Sequence, residues 1–191
     1  MRPTRRQMQI VLGTVLGDGY LYSNGRLQVE HQEKDIAYLN WKYVGLYGLA
    51  SGVPKCCMRY DKRTRKAYFS RRFYTKPIFK TLRKLFYPNG KKIAPRDNKE
   101  FVLGPLGLAV WFMDDGGRGA RTPKGVIISV RGYSVKDRKF LRGYLEEKFN
   151  IKVNLHKNGQ LYFPVQTVDK FCRLIKPYVV PSMRYKLPLT P

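Results

Sequence analysis

Acidic residues are scarce in this chain: 13 Asp and Glu stand against 38 Lys and Arg in 191 residues, a formal net charge of +25. Cysteine is scarcer still. Three cysteines, two of them adjacent, supply neither a disulfide framework nor the spacing of a metal knuckle. Cys56, Cys57 and Cys172 are therefore expected to be small buried apolar residues in a reducing compartment. The two histidines, His31 and His156, lie far apart and lack metal-ligand spacing, which argues against a structural zinc site. No apolar run approaches the roughly 18 residues that a membrane span needs. The apolar stretch after the basic N-terminus is broken by Gly13, Gly17 and Asp18, which argues against a secretory signal. An intracellular setting is expected, in an organelle or a prokaryotic cytoplasm.

What the chain does have is apolar and aromatic content, at 43% and 14%, enough for a packed core and too much for a disordered basic tail. The length allows one domain or two small ones. The charge is concentrated: residues 55–92 carry fourteen Lys and Arg and one acid, Asp61, with tyrosines and phenylalanines interleaved. Such a field favours a polyanion, because each neutralised phosphate releases condensed counterions. The segment alternates like a strand and does not present the single polar face of a membrane-surface helix. Nucleic acid is the expected partner and a membrane is not.

The chain also repeats itself. Val11-Leu-Gly-Thr-Val-Leu-Gly-Asp-Gly19 has a counterpart in Leu108-Ala-Val-Trp-Phe-Met-Asp-Asp-Gly116, with Asp18 and Asp115 97 positions apart. Lys92, before Pro95, follows Asp18 by 74 positions, and Lys186, before Pro188, follows Asp115 by 71. Secondary-structure signals repeat in step. Thr4 to Gln7 reads as a capping box and Pro105 as a first helical residue. Asn24-Gly25 and Asn158-Gly159 read as hairpin turns, and Ser134 as a helix cap. The predicted order is αββαββα twice, an α+β fold with antiparallel sheets, in halves 1–99 and 100–191 that pack as one unit.

Both Asp18 and Asp115 end apolar helices, where the macrodipole disfavours an anion by up to about 1 kcal/mol. The glycines that follow them are ordinary helix caps. Asp114 is less telling, since Gly17 holds its place in the first half. Gly13, Gly17 and Ala109 let backbones approach, so the two helices are expected side by side with their carboxylates together. Paired carboxylates suit a divalent cation, and oxygen donors near phosphate suit Mg²⁺, with Mn²⁺ an expected substitute. Carboxylates, a cation and a basic surface together describe phosphodiester hydrolysis.

These segments resemble the motif of the LAGLIDADG homing endonucleases in their single-chain, two-motif form. Gly13, Asp18 and Gly19 match in the first, and Leu108, Ala109, Asp115 and Gly116 in the second. Trp111 to Gly117, and the terminal Ile175-Lys-Pro-Tyr through Tyr185-Lys-Leu-Pro188, look most like intron-encoded members from yeast mitochondria. The resemblance runs from about residue 7 to 188. It implies a pseudo-twofold monomer whose saddle-shaped sheets face the DNA major groove, cutting both strands at a long asymmetric site. It further implies that Asp18 and Asp115 hold metal, with the carbonyls of Gly17 and Asp114 as further ligands, and that Lys92 and Lys186 lie near the scissile phosphates. Gln32 and Arg131 occupy a position commonly Gln in relatives.

DNA contacts are expected from Tyr22, Asn24, Arg26, Gln28, Gln32, Arg59, Lys62, Arg63, Arg65, Lys66 and Arg71 in the first half. In the second they are expected from Arg118, Arg121, Lys124, Arg131, Lys157 and Asn158, most of them to phosphate. Two rival readings share the composition: an RNA-binding intron maturase and a DNA-binding regulator. Neither gains from anions facing phosphate, and the regulator lacks a helix-turn-helix.

Overall fold

In the computed structural model the described residues are 2–96, 101–119 and 124–188. Helix α1 (Arg5–Leu16) starts at the expected box: Thr4 Oγ1 accepts from the Gln7 N–H, and the Gln7 side chain accepts from the Thr4 N–H. From Ile10 to Leu16 every residue is buried, so this helix is a core element with no solvent face over its second half. The hairpin β1 (Tyr20–Leu21) and β2 (Leu27–Gln32) follows, turning at Gly25 with φ +83°. A 3₁₀ turn at Glu33–Asp35 leads into α2 (Ile36–Gly45). Next come β3 (Lys55–Asp61), β4 (Lys66–Tyr74) and α3 (Lys80–Phe86).

The second half repeats this sequence of elements. Helix α4 (Pro105–Asp115) opens with proline at its first position, as its missing N–H and fixed φ favour. The order continues with β5 (Gly116–Arg118), β6 (Val126–Ser129) and α5 (Val135–Phe149), the last capped by Ser134, whose side chain accepts from the Asp137 N–H. Then β7 (Asn154–His156), β8 (Gln160–Phe163) and α6 (Val165–Ile175) complete the half. The αββαββα order is therefore present twice. The expected boundary between residues 99 and 100 lies outside the described residues.

Each half carries a four-stranded antiparallel sheet, in the orders β1-β2-β4-β3 and β5-β6-β8-β7. Strand alternation decides what each face does. Leu27, Val29 and His31 of β2, with Phe73 of β4, point into the core; Gln28, Glu30, Gln32, Ser70 and Arg72 point out. In the second half Val126, Ile128, Leu161 and Phe163 are the inward residues. Strands β3 and β4 are much longer than β7 and β8, and their outer ends are exposed on both faces. This corrects the expectation for cysteine: Cys56 is exposed, and Cys57 and Cys172 are partly so. Strand β3 is the edge of its sheet and is largely exposed along its whole length, from Lys55 on, so its two cysteines lie at or near the surface.

Helices α1 and α4 pack against each other between the two sheets. The crossing is set by glycine: a Cβ at Gly13 would lie 2.7 Å from Val110 Cβ and collide with the Gly107 carbonyl. Gln9 seals the start of α4, its amide donating to the Val102 carbonyl at 2.8 Å and its carbonyl accepting from the Gly104 N–H. The two helices end together, which brings the ends of both motifs to one place.

Candidate active site

Asp115 is the last residue of α4, and Asp18 follows α1 by one residue, Gly17. The two helix ends touch: the Asp18 N–H donates to Asp114 Oδ2 at 3.4 Å, and a Cβ at Gly17 would stand 2.5 Å from Asp114 Cβ. Glycine at position 17 is thus required by the neighbouring motif, which explains why the two motifs differ there. Asp114 is no idle surface acid. Lys42 Nζ reaches its two oxygens at 2.7 and 2.9 Å, and the Tyr38 hydroxyl donates to Oδ1 at 2.8 Å. Lys42 is fully buried, so this is an ion pair sealed inside the interface between the halves.

The two lysines take corresponding places. Lys92 Nζ donates to the Gly17 carbonyl at 2.7 Å, and Lys186 Nζ donates to the Asp114 carbonyl at 3.0 Å and to that of Met113. Each lysine therefore holds the carbonyl just before a motif's last acid. Tyr133 joins them, its hydroxyl donating to the Leu16 carbonyl at 2.9 Å. The halves cross over at this point. A hollow of about 190 Å³ is lined by Asp115 of the second half together with Gly17 and Lys92 of the first, and by Arg131 and Tyr133. A second, of about 440 Å³, is lined by Asp18 with Gln28, Glu30, Gln32, Arg59 and Ser70.

Electrostatics mark both acids. Burial, reinforced by the charges of Asp18 and Asp114, pushes the Asp115 carboxyl up to about 7 against the attraction of Lys92 and Lys186. Asp18 is raised for the same reasons, desolvation first and Asp114 second, although its surface is exposed: protein crowds the carboxylate without covering it. Burial lowers both Lys92 and Lys186, with the aspartates opposing. His31, buried and next to Lys42, is depressed to about 3 and so stays neutral at physiological pH. Tyr38 is pushed well above its usual value by burial and by Asp114, which keeps its hydroxyl a donor.

A divalent cation fits this arrangement. Two crowded carboxylates with raised proton affinity are negative charge that lacks full compensation, and the adjoining donors are hard carbonyl oxygens with a second lone pair beyond the lysine bond. Asp18, His31 and Asp114 also bring one ligand-type atom each within 4.8 Å of one another. There the Asp114 side chain is already neutralised by Lys42, so its backbone carbonyl is the better donor.

The expected DNA-contacting residues divide by location. Tyr22 and Gln28 bond to each other at 2.8 Å, and Gln28 and Gln32 lie on the outward face of β2. Asn24 caps its own turn by accepting from the Arg26 N–H at 3.1 Å; Arg26 lies over the Tyr74 ring and donates to Ser51. Arg59 is outward on β3; Lys62, Arg63 and Arg65 form the β3–β4 turn, with Lys66 beside it. Arg71 turns to the opposite face and pairs with Glu33 at 3.3 Å, while Arg72, which the sequence reading passed over, takes the outward place. In the second half Arg118 donates to the Leu187 carbonyl and Arg131 to that of Asn158. Lys157 and Asn158 form the β7–β8 turn, Lys124 is exposed before β6, and Arg121 lies outside the described residues. Sequence reasoning also missed Tyr38, Lys42, Tyr133 and Glu30. The available signal was a lysine four residues after a tyrosine in the apolar α2, a place where charge needs a buried partner.

A duplicated αββαββα chain with two outward antiparallel sheets and paired helix-end acids defines one class, and comparison agrees. Residues 8–171 match the LAGLIDADG DNA endonuclease family, and the chain belongs to it. It is similar to the cytochrome b mRNA maturase bI2 of Debaryomyces hansenii, 29% identical across 96% of this chain and 74% of the relative. The intron-encoded endonuclease ai4 of Dictyostelium discoideum is 33% identical over 60% of this chain and 73% of its own length. The RecA protein of Mycolicibacterium flavescens is 31% identical over 97% of this chain, which spans about half (47%) of that relative. Among solved structures, the homing endonuclease I-WcaI bound to its DNA recognition sequence superposes with a TM-score of 0.88. It shares 26% identity, covering all of this chain and 89% of that one. Among the described residues no helix is long and apolar enough to cross a membrane.

Proposed function

We propose that this protein is a monomeric, site-specific endonuclease that cuts both strands of a long asymmetric DNA site with the help of Mg²⁺, Mn²⁺ substituting. The observation that carries this reading is the crossed construction of the site: Asp115 faces the Gly17 carbonyl and Lys92 of the other half, and Asp18 adjoins Asp114, whose carbonyl holds Lys186. Two equivalent centres, each needing both halves, suit one cut in each strand. A bound divalent cation would supply Lewis-acid stabilisation of the phosphoryl oxygen and a more acidic water.

The protein's own groups do the rest. Asp18 and Asp115 would hold the cation as anionic ligands, and the carbonyls of Gly17 and Asp114 would complete the oxygen set. Lys92 and Lys186 fix those carbonyls and place positive charge beside the scissile phosphate, where it favours the extra negative charge of the transition state. The Lys42–Asp114–Tyr38 cluster locks the helix ends at one separation. The outward sheet residues Tyr22, Gln28, Gln32 and Arg59 contact the groove, and the Lys62–Lys66 turn holds the backbone.

The test is selection of bound duplexes from a randomised pool, then cleavage of the selected site in Mg²⁺ by the parent, Asp18→Asn and Asp115→Asn proteins. The parent is expected to leave one double-strand break, each single variant at most a nick in one strand, and both variants to bind nearly as well. Full double-strand cutting by either variant would overturn the assignment of the acids. A second reading, an RNA-binding intron maturase, is favoured by the name of the Debaryomyces hansenii relative. Intron RNA bound and spliced with both acids replaced would support it.

A further inference from the structure

Glu30 is an acid on the outward face of β2, in a chain of net charge +25, and it borders the same hollow as Asp18. An anion facing a phosphate backbone weakens binding, so its presence there needs a reason. Its carboxylate accepts from four side chains: Arg72 Nε at 2.7 Å, Ser70 Oγ at 2.7 Å, Arg59 Nη2 at 3.0 Å and Gln28 Nε2 at 3.2 Å. Burial alone would raise its pKa, but the bonds from Arg72 and Ser70 hold it below the usual range, so it stays charged. Arg72 is fixed from a second side, donating through Nη1 to the Tyr74 hydroxyl at 3.0 Å. Arg59 and Arg72 stand on β3 and β4, whose register puts both on the outward face with Glu30. At the corresponding place of the second sheet stands Ser129, which pairs with Gln160, so nothing like this cluster occurs there among the described residues.

The chemistry of arginine gives the cluster a use. A free arginine on a basic surface settles on whichever phosphate is near, because its stem is flexible and phosphate contacts carry no sequence. A guanidinium held along one edge presents its remaining N–H groups in a fixed plane, the geometry that guanine O6 and N7 accept bidentately. We infer that Glu30 is a positioning residue for DNA recognition, holding Arg59 and Arg72 as fixed forks that read guanine in the major groove beside the Asp18 centre. This rests on the endonuclease reading above. The acid costs some general affinity and returns base selectivity at one or two positions.

The test is duplex selection by the whole chain without divalent metal, comparing the parent with Glu30→Gln, Arg59→Lys, Arg72→Lys and the Glu30→Gln/Arg72→Lys double variant. The parent is expected to prefer guanine by about tenfold or more at one or two adjacent positions. In Glu30→Gln and in at least one Arg→Lys variant that preference falls below about threefold; Glu30→Gln, which removes an anion, binds unselected duplex somewhat more tightly, and its melting temperature changes little. The double variant loses little more than Glu30→Gln alone, as expected for groups acting through one another. Guanine preference kept in Glu30→Gln would overturn the proposal, as would uniform loss at every position. Preference lost in Glu30→Gln but kept in both Arg→Lys variants would also overturn it, because Glu30 would then touch a base itself. Should Glu30→Gln not fold, the lysine variants, which keep the charge and leave Glu30 in place, decide the matter. A parent with no sequence preference removes the endonuclease reading as well; a parent with preference that Glu30→Gln leaves unchanged removes only this inference.

Discussion

A lysine ammonium with no exposed surface, 2.7 Å from an aspartate in the other half of the molecule, is the most demanding residue-scale feature of this protein. Desolvating both charges is costly, so the pair contributes little net stability, but either charge left alone would be severely destabilising. Lys42→Met is expected to lower unfolding stability by about 3–5 kcal/mol, as is Asp114→Asn to a lesser degree, with the double replacement less damaging than Lys42→Met; urea unfolding of the three variants measures this. Asp115 makes the opposite kind of demand. Its carboxyl is raised to about 7, so the folded state holds the proton more tightly than the unfolded chain. Stability is therefore lost as pH rises from the ordinary carboxyl range through about 7, provided no cation is present. Metal-free Asp115→Asn protein should melt higher than the parent at pH 8 and at nearly the same temperature at pH 4, at about 2–4 °C for each kcal/mol recovered. Equal melting curves at pH 8 would show that the carboxylate is not under this strain.

At the scale of elements, the helix crossing governs whether the acids meet. Gly13 admits the α4 backbone, and a methyl there would have to displace the Gly107 carbonyl and Val110. Gly13→Ala is expected to cost about 1–3 kcal/mol of stability, measured by denaturant unfolding. On the endonuclease reading it is also expected to depress cleavage more than DNA binding, since the sheets proposed to meet DNA stay intact while the helix ends separate. The crossing was half legible. Gly13 and Gly17 four residues apart announced a close approach, but not which residues they would meet: the Gly107 carbonyl and Val110 at Gly13, and Asp114 at Gly17. Helix caps at Thr4 and Ser134 and hairpin turns at Gly25 and Gly159 were fully legible, because each depends on residues within a few positions of one another. The burial of cysteine was not, because composition says nothing of which strand becomes an edge.

At the scale of the whole molecule, the excess charge and the long β3–β4 ribbon belong together. The ribbon ends in Lys62, Arg63, Arg65 and Lys66, beyond the reach of the core. Replacing these four by Gln is expected to flatten the dependence of log affinity on log salt by about 0.9 for each phosphate that is no longer neutralised. Non-target and target duplexes should be affected alike, which titration at several salt concentrations would show. An unchanged slope would place the ribbon away from DNA.

The sequence by itself determined that the chain is a duplicated unit, where its helices and turns lie, and that two helix-end acids and two lysines recur in step. These are properties of short stretches: caps, periodicity and spacing are written within a few residues and survive wherever the element ends up. Tertiary structure alone decided how the recurring residues combine. Lys92 and Asp115 share one hollow although they come from different halves, and Asp114 departs from the repeat because Lys42 and Tyr38, 72 and 76 positions away, close on it. Glu30, which reads as one more polar residue in a strand, becomes the acceptor for two arginines only once β3 and β4 are laid beside β2. Such pairings depend on long-range proximity, which buried area and backbone crossing set and no local pattern records.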